Sequence, residues 1–440
     1  MNKSKLFPIL LFAYVLSLAF QDFMRFSVTF RKVQLPEILF LCLVATFPLN
    51  YFKNYRFDKF DRILIRILGV YWLTNVLSSV LSGENPAIFE SAGRLYLLIL
   101  FGMTTLYFAQ LPTEELRHQV ARVSLVLGVL LALTSLAGLV AQLSGYSNML
   151  VGISEDYPYL GTVYRLQGFT HTPAMLVSLL IFTGIFTFTE GEQNFNLRTL
   201  ILALTAMVIV AFLTFSRSAT FLIWGVLVMT IVKKWGFSQK IFCISVILLT
   251  LFMTIATHTI VTSKTNPDLP VLLNSSFTSN KVLFEQKDFI VLETSYLAIK
   301  RASIPIWQTH PLLGIGTGNF VKNLNIEQKK GVYPQKLPLF EAHSTYLGTL
   351  VENGIFAAIA IILLFGLLWQ RIYNAENLKT DNFLIALLVS LAIVLIESIA
   401  LDTMNFRHYW LLYALAWAYP KISKMGERFA SSSHPTSSRF

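Results

Sequence analysis

The chain has 440 residues, 55% of them hydrophobic and 13% charged, with a net charge of +11 and a mean hydropathy of +0.60. Soluble domains carry about 25% charged residues, so this balance excludes an ordinary soluble enzyme and points to a polytopic membrane protein. The surplus of Lys and Arg is the kind that gathers in cytoplasmic loops and does not call for a nucleic-acid partner.

The N-terminus, Met1-Asn-Lys3-Ser-Lys5, leads into an apolar run. No small-residue cleavage site precedes Gln21-Asp22, so an uncleaved first span is expected. Apolar windows of about 20 residues then recur roughly twelve times. Their cores are 6–23, 34–52, 63–82, 92–110, 119–143, 173–189, 198–215, 218–233, 239–258, 345–370, 382–401 and 406–420. The expected fold class is an all-α integral membrane protein. Spans one to nine occupy 1–258, a large and partly helical external loop fills 259–344, and spans ten to twelve occupy 345–420. The segment 421–440, with Ser431-Ser-Ser-His-Pro-Thr-Ser-Ser, reads as a disordered cytoplasmic tail.

Basic residues orient these spans. With the N-terminus inside, the cytoplasmic loops hold Lys53, Arg56, Lys59 and Arg62, then Arg117, then Lys233, Lys234 and Lys240, then Arg371 and Lys379. Arg25, Arg31 and Lys32 fall outside and run against the pattern. Two external segments are long, 145–172 and 258–344, and the second needs helices of its own. Cys42 and Cys243 are the only cysteines and both sit in apolar runs, which excludes a disulfide framework and a cysteine-built metal site.

Four polar residues stand out at the outer ends of the spans. Arg217, in Ser216-Arg217-Ser218, breaks two apolar runs; it reads equally as a phosphate ligand or as a turn arginine at the lipid headgroups. Arg165 precedes Gly168 and Pro173 near a helix start, in an anion site or an ordinary surface loop. Arg301 lies beside Lys300 on an amphipathic segment whose Leu297, Ile299, Ile304 and Trp307 face membrane or core. His343 lies at the start of the tenth span, as a helix cap or as a proton acceptor near neutral pH. Gly314, Gly316 and Gly318 resemble half a phosphate loop, but no Lys-Ser/Thr follows, so a nucleotide P-loop is disfavoured. Zinc-protease and nucleophile-elbow motifs are absent.

His310-Pro-Leu-Leu-Gly314-Ile-Gly316-Thr-Gly318-Asn-Phe320, followed by His343-Ser-Thr-Tyr346-Leu-Gly-Thr-Leu-Val-Glu352-Asn-Gly354, resembles the O-antigen ligase/polymerase family of bacterial envelope glycan assembly. The Thr214-Phe-Ser216-Arg217-Ser218 break fits the same resemblance, although many relatives have glycine after the arginine. The resemblance implies a metal-independent, cofactor-free membrane glycosyltransferase of the C-type architecture. Its site would face the periplasm from the bacterial inner membrane. Its donor would be an undecaprenyl-pyrophosphate-linked glycan, and its acceptor lipid A-core (a ligase) or another lipid-linked glycan (a polymerase). On this basis His343 would deprotonate the acceptor hydroxyl. Arg217, Arg301 and Arg165 would hold pyrophosphate, and Gly314, Gly316 and Ser216 would shape the site. A single base and no evident nucleophilic carboxylate favour inversion. An anion transporter and a non-catalytic flippase or scaffold are the competing readings.

Overall fold

The computed structural model describes residues 3–23, 33–157, 160–235 and 239–432. Arg25, Arg31 and Lys32, which run against the expected orientation, lie outside the described residues, as do 433–440.

The chain opens with α1 (Lys3–Ser17), α2 (Leu35–Thr46) and the short α3 (Leu49–Asn54). The window at 34–52 is therefore two helices. Phe47-Pro48 breaks it, because proline offers no N–H and biases the residue before it to extended backbone. Next come α4 (Lys59–Leu81), α5 (Asn85–Phe108) and α6 (Thr113–Leu143). Asp58 caps α4 by accepting from the Asp61 N–H, and Asp61 returns the bond to the Asp58 N–H.

The segment after α6 is an antiparallel hairpin, β1 (Val151–Tyr157) with β2 (Gly161–Leu166), Val151 opposite Leu166. Then follow α7 (Pro173–Asn194), α8 (Leu197–Leu213), α9 (Ala219–Trp235) and α10 (Gln239–His258). The large loop begins directly at the end of α10 with β3 (Thr259–Ser263). It continues through α11 (Leu269–Asn274), β4 (Thr278–Glu285), β5 (Phe289–Thr294), α12 (Ser295–Thr309) and α13 (Phe320–Lys329). The strands form an antiparallel sheet in the order β3-β5-β4, with Thr259 opposite Glu293. The chain closes with α14 (Thr345–Tyr373), α15 (Asn382–Glu397) and α16 (Arg407–Ser432).

The structure is mostly helical, consistent with the expected all-α membrane protein, and among the described residues its two long inter-helix segments add five strands. They are short, as in the β-branched Thr-Ile-Val-Thr-Ser of β3, and each is stable only when paired. The expected tail is also partly helical, since α16 runs to Ser432.

Among the described residues, α4, α5, α6, α7, α14 and residues Lys240–His258 of α10 are long and apolar enough to cross a membrane. Shorter apolar helices cover Lys5–Phe20, Leu35–Thr46, Leu197–Leu213, Ala219–Val232 and Asn382–Glu397. Burial sorts them. Nearly every residue of α15 and the first half of α16 is buried, from Phe383 to Val394 and from Tyr409 to Tyr419. A helix apolar on all sides belongs at the centre of a bundle. In α10, Ile244, Ile247, Leu248, Leu251 and Ile255 are exposed on a rim of the bundle, which suits lipid contact. The molecule is a multi-pass membrane protein.

Candidate active site

His343 is placed by the start of α14. Ser344 caps that helix by accepting from the Leu347 N–H at 3.4 Å. Thr345 donates its N–H to the carbonyls of Ser398 and Leu401, both at 2.9 Å, and its hydroxyl accepts from the Thr403 N–H at 2.8 Å. These bonds tie the start of α14 to the turn between α15 and α16. His343 itself has φ +44°, a left-handed conformation uncommon outside glycine. Its ring lies edge-on to Tyr296 of α12 at 5.0 Å and to Phe340 at 5.4 Å. Burial, and then the Lys300 ammonium, push its pKa down to about 4. The imidazole is neutral at pH 7 and can take a proton.

Arg217 stands in the turn between α8 and α9. Phe215 has φ +48°, and the Ser216 N–H donates to the Thr214 hydroxyl at 3.1 Å. The Ser216 carbonyl accepts from the Ala219 N–H at 3.0 Å. Ser216 thus shapes the turn through its backbone. Arg217 Nη1 is buried and has no hydrogen-bond partner. An unpaired buried guanidinium nitrogen is costly, and a bound acceptor would relieve that cost.

Arg165 and this turn come together. Nε of Arg165, on β2, donates to the Thr214 carbonyl at 3.0 Å. The hairpin is fastened to the loop that bears Arg217. His171 Nδ1 lies 3.3 Å from an Asp22 carboxylate oxygen.

Helix α12 carries two adjacent cations, Lys300 and Arg301. Arg301 pairs with Glu293 of β5 at 3.2 Å, and the Glu293 side chain is 1% exposed. The guanidinium is neutralised within the external sheet. Its neighbour Lys300 donates to His258 Nε2 and to the Ile399 carbonyl, the latter at 2.6 Å. His258 Nδ1 lies 2.7 Å from the Thr254 carbonyl, an acceptor, so Nδ1 carries the proton and Nε2 accepts. Arg217 acts electrostatically on His258, as Lys300 does on His343. Arg217, His258, Lys300 and His343 therefore form one neighbourhood. His258 and Lys300 escape sequence reasoning. His258 ends an apolar helix without a motif, and nothing in the local pattern separates Lys300 from Arg301.

The glycine-rich loop acts through docking. Gly314 and Gly316 have φ +73° and +96°. The Ile315 and Gly316 N–H groups donate to the carbonyls of Val351 and Glu352 at 3.0 and 2.9 Å, and the Ile355 N–H donates to the Pro311 carbonyl at 3.1 Å. This strand-like pairing fits into a kink of α14 at Gly354, φ +79°. A Cβ at Gly354 would meet the Leu312 carbonyl oxygen at 2.0 Å, and one at Gly314 the Glu352 backbone at 2.4 Å. Gly316 also donates to the Ser78 hydroxyl at 2.9 Å, which joins the loop to α4.

Residues 202–362 match the family model described as O-antigen ligase. That segment is a domain of the O-antigen ligase/polymerase family. It runs from α8 into α14 and takes in Ser216, Arg217, His258, Lys300, Arg301, Gly314, Gly316 and His343; Arg165 lies outside it. Membership implies a membrane enzyme that transfers glycans, of the ligase or polymerase kind, with lipid-linked glycan substrates. No curated protein matches the chain.

Proposed function

We propose that the protein moves a glycan from undecaprenyl pyrophosphate to a sugar hydroxyl at the periplasmic face of the inner membrane, as an O-antigen ligase acting on lipid A-core. One observation carries this reading. A neutral, half-buried imidazole and a buried guanidinium nitrogen with no partner are gathered in one neighbourhood, from elements 126 residues apart between Arg217 and His343. The first suits a base and the second suits a phosphate.

The chemistry balances as a single displacement. His343 takes the acceptor hydroxyl proton as that oxygen bonds to the anomeric carbon of the donor. The bond from that carbon to the phosphate oxygen breaks, and its electron pair leaves on the pyrophosphate. Arg217, with Arg165 bracing its turn, stabilises the charge that develops. A carbon attacked from the face opposite the leaving group inverts. The cations do the work here that a divalent metal does in other transferases, so the reaction proceeds without metal or cofactor.

A polymerase needs the same base and the same cations, and differs in taking a second lipid-linked glycan as acceptor. The deciding experiment gives purified protein its native undecaprenyl-pyrophosphate glycan with either lipid A-core or more donor. A single adduct on lipid A-core is expected. A ladder on the polyprenyl carrier would replace ligase with polymerase. Solute uptake into liposomes without any glycan turnover would replace both with a transporter.

A further inference from the structure

Helix α12 presents two adjacent cations, and their surroundings differ. Arg301 has a buried carboxylate, Glu293, at 3.2 Å. Lys300 has only neutral acceptors, the His258 imidazole and the Ile399 carbonyl. Among the described residues no carboxylate pairs with Lys300 or with Arg217. An ammonium has three N–H donors, so one remains after those two bonds. A small cavity is lined by neighbours of both cations: Ser218, next in sequence to Arg217; Thr257, next to His258; and Ile399, whose carbonyl accepts from Lys300. Glu397 also borders it, and its oxygens already accept from Ser178 and Tyr409.

We propose that Lys300, and not Arg301, is the α12 residue that binds the donor's pyrophosphate, together with Arg217. This rests on the transfer reading above and names a further ligand within it. Two half-buried cations without a carboxylate partner lose solvation, and a shared dianion relieves that cost. The His258–Thr254 bond holds the imidazole as an acceptor, so Lys300 is fixed in place without being neutralised. The salt bridge of Arg301 to Glu293 instead ties α12 to the sheet.

The choice of lysine has a measurable consequence. Burial lowers the Lys300 pKa to about 8. The charged and titratable groups around it are His258 on α10, Arg217 on the α8–α9 turn and His343 before α14; the α15–α16 turn contributes a carbonyl. In the empty site Lys300 loses its proton as pH rises through about 8, and the anion must then bring that proton back. An arginine in its place stays charged throughout.

The experiment measures binding of undecaprenyl pyrophosphate, carrying no glycan, to the full chain in nanodiscs between pH 7.5 and 9.5. Wild type is expected to lose about tenfold or more in affinity across that window. Lys300→Arg should retain binding at pH 7.5 and change less than about twofold to pH 9.5. Lys300→Met should bind about 10- to 100-fold more weakly at pH 7.5. Arg301→Gln should leave the affinity and the pH slope near wild type. The opposite ranking, with Arg301→Gln weak and Lys300→Met near wild type, overturns the assignment, and so does an unchanged slope in Lys300→Arg. Wild type that transfers glycan while Lys300→Met binds equally well removes this inference and leaves the transfer reading intact. Wild type that binds the lipid with the expected slope but transfers nothing removes the transfer reading and leaves the anion site.

Discussion

His343 sits at φ +44° between the edges of Tyr296 and Phe340, a position set by the knot at Thr345. Its lowered pKa, about 4, has a definite sign. The group is neutral above that value, so the base form is lost only as pH falls through about 4. The acid limb of kcat/KM should therefore lie near pH 4, well below the 6.5 of free histidine. A limb near 6.5 would mean that the base sits in open water or is another residue. Asparagine tolerates left-handed backbone and cannot serve as a base. His343→Asn should thus cut transfer by about 10²- to 10⁴-fold with little change in thermal unfolding. Retained activity would remove His343 from the mechanism. The histidine itself was legible in the sequence because motif and helix start coincide there. The split between Lys300 and Arg301 was not, because it is decided by Glu293, a residue of a strand that no periodicity announces.

At the scale of elements, α14 and the glycine-rich loop form one device. The helix must open at Gly354 so that the Val351 and Glu352 carbonyls can receive the Ile315 and Gly316 N–H groups. Apolar length made α14 readable as a span, but length says nothing about a φ of +79° inside it. The glycine was visible at 354; its conformation depends on Leu312, 42 residues earlier. The break at Pro48, by contrast, has a local cause and could be read directly. Gly354→Ala adds a Cβ 2.0 Å from a carbonyl oxygen on backbone that alanine avoids. Positive φ with ψ −178° is open essentially only to glycine and costs about 1–3 kcal/mol, and the overpacking about 1–3 kcal/mol more. The variant should unfold at a clearly lower temperature in detergent, with the His343 end of α14 affected through the undocked loop. Equal stability would show that the loop and the helix do not depend on each other.

Across the whole molecule, one cluster of shared charges stands far from His343. It lies about 40 Å away along α14, near Arg371. Asp61 accepts from Tyr55 at 2.8 Å, Trp417 at 2.7 Å and Lys421 at 3.0 Å. Arg371 lies over the Trp417 ring at 4.2 Å, and Arg117 pairs with Asp381. Partners shared in this way suit a structural clasp. The clasp joins α4 to α16, whose sequence positions differ by 356 residues between Asp61 and Trp417. Asp61→Ala leaves an indole N–H, a phenol and an ammonium without their shared acceptor. Breaking a buried ion pair from one side costs about 3–5 kcal/mol, so thermal stability should fall markedly. Because the clasp is remote from His343, the pH limb of the surviving folded enzyme should stay near 4. A shifted limb with unchanged stability would mean that this cluster acts on the chemistry and is not a structural clasp.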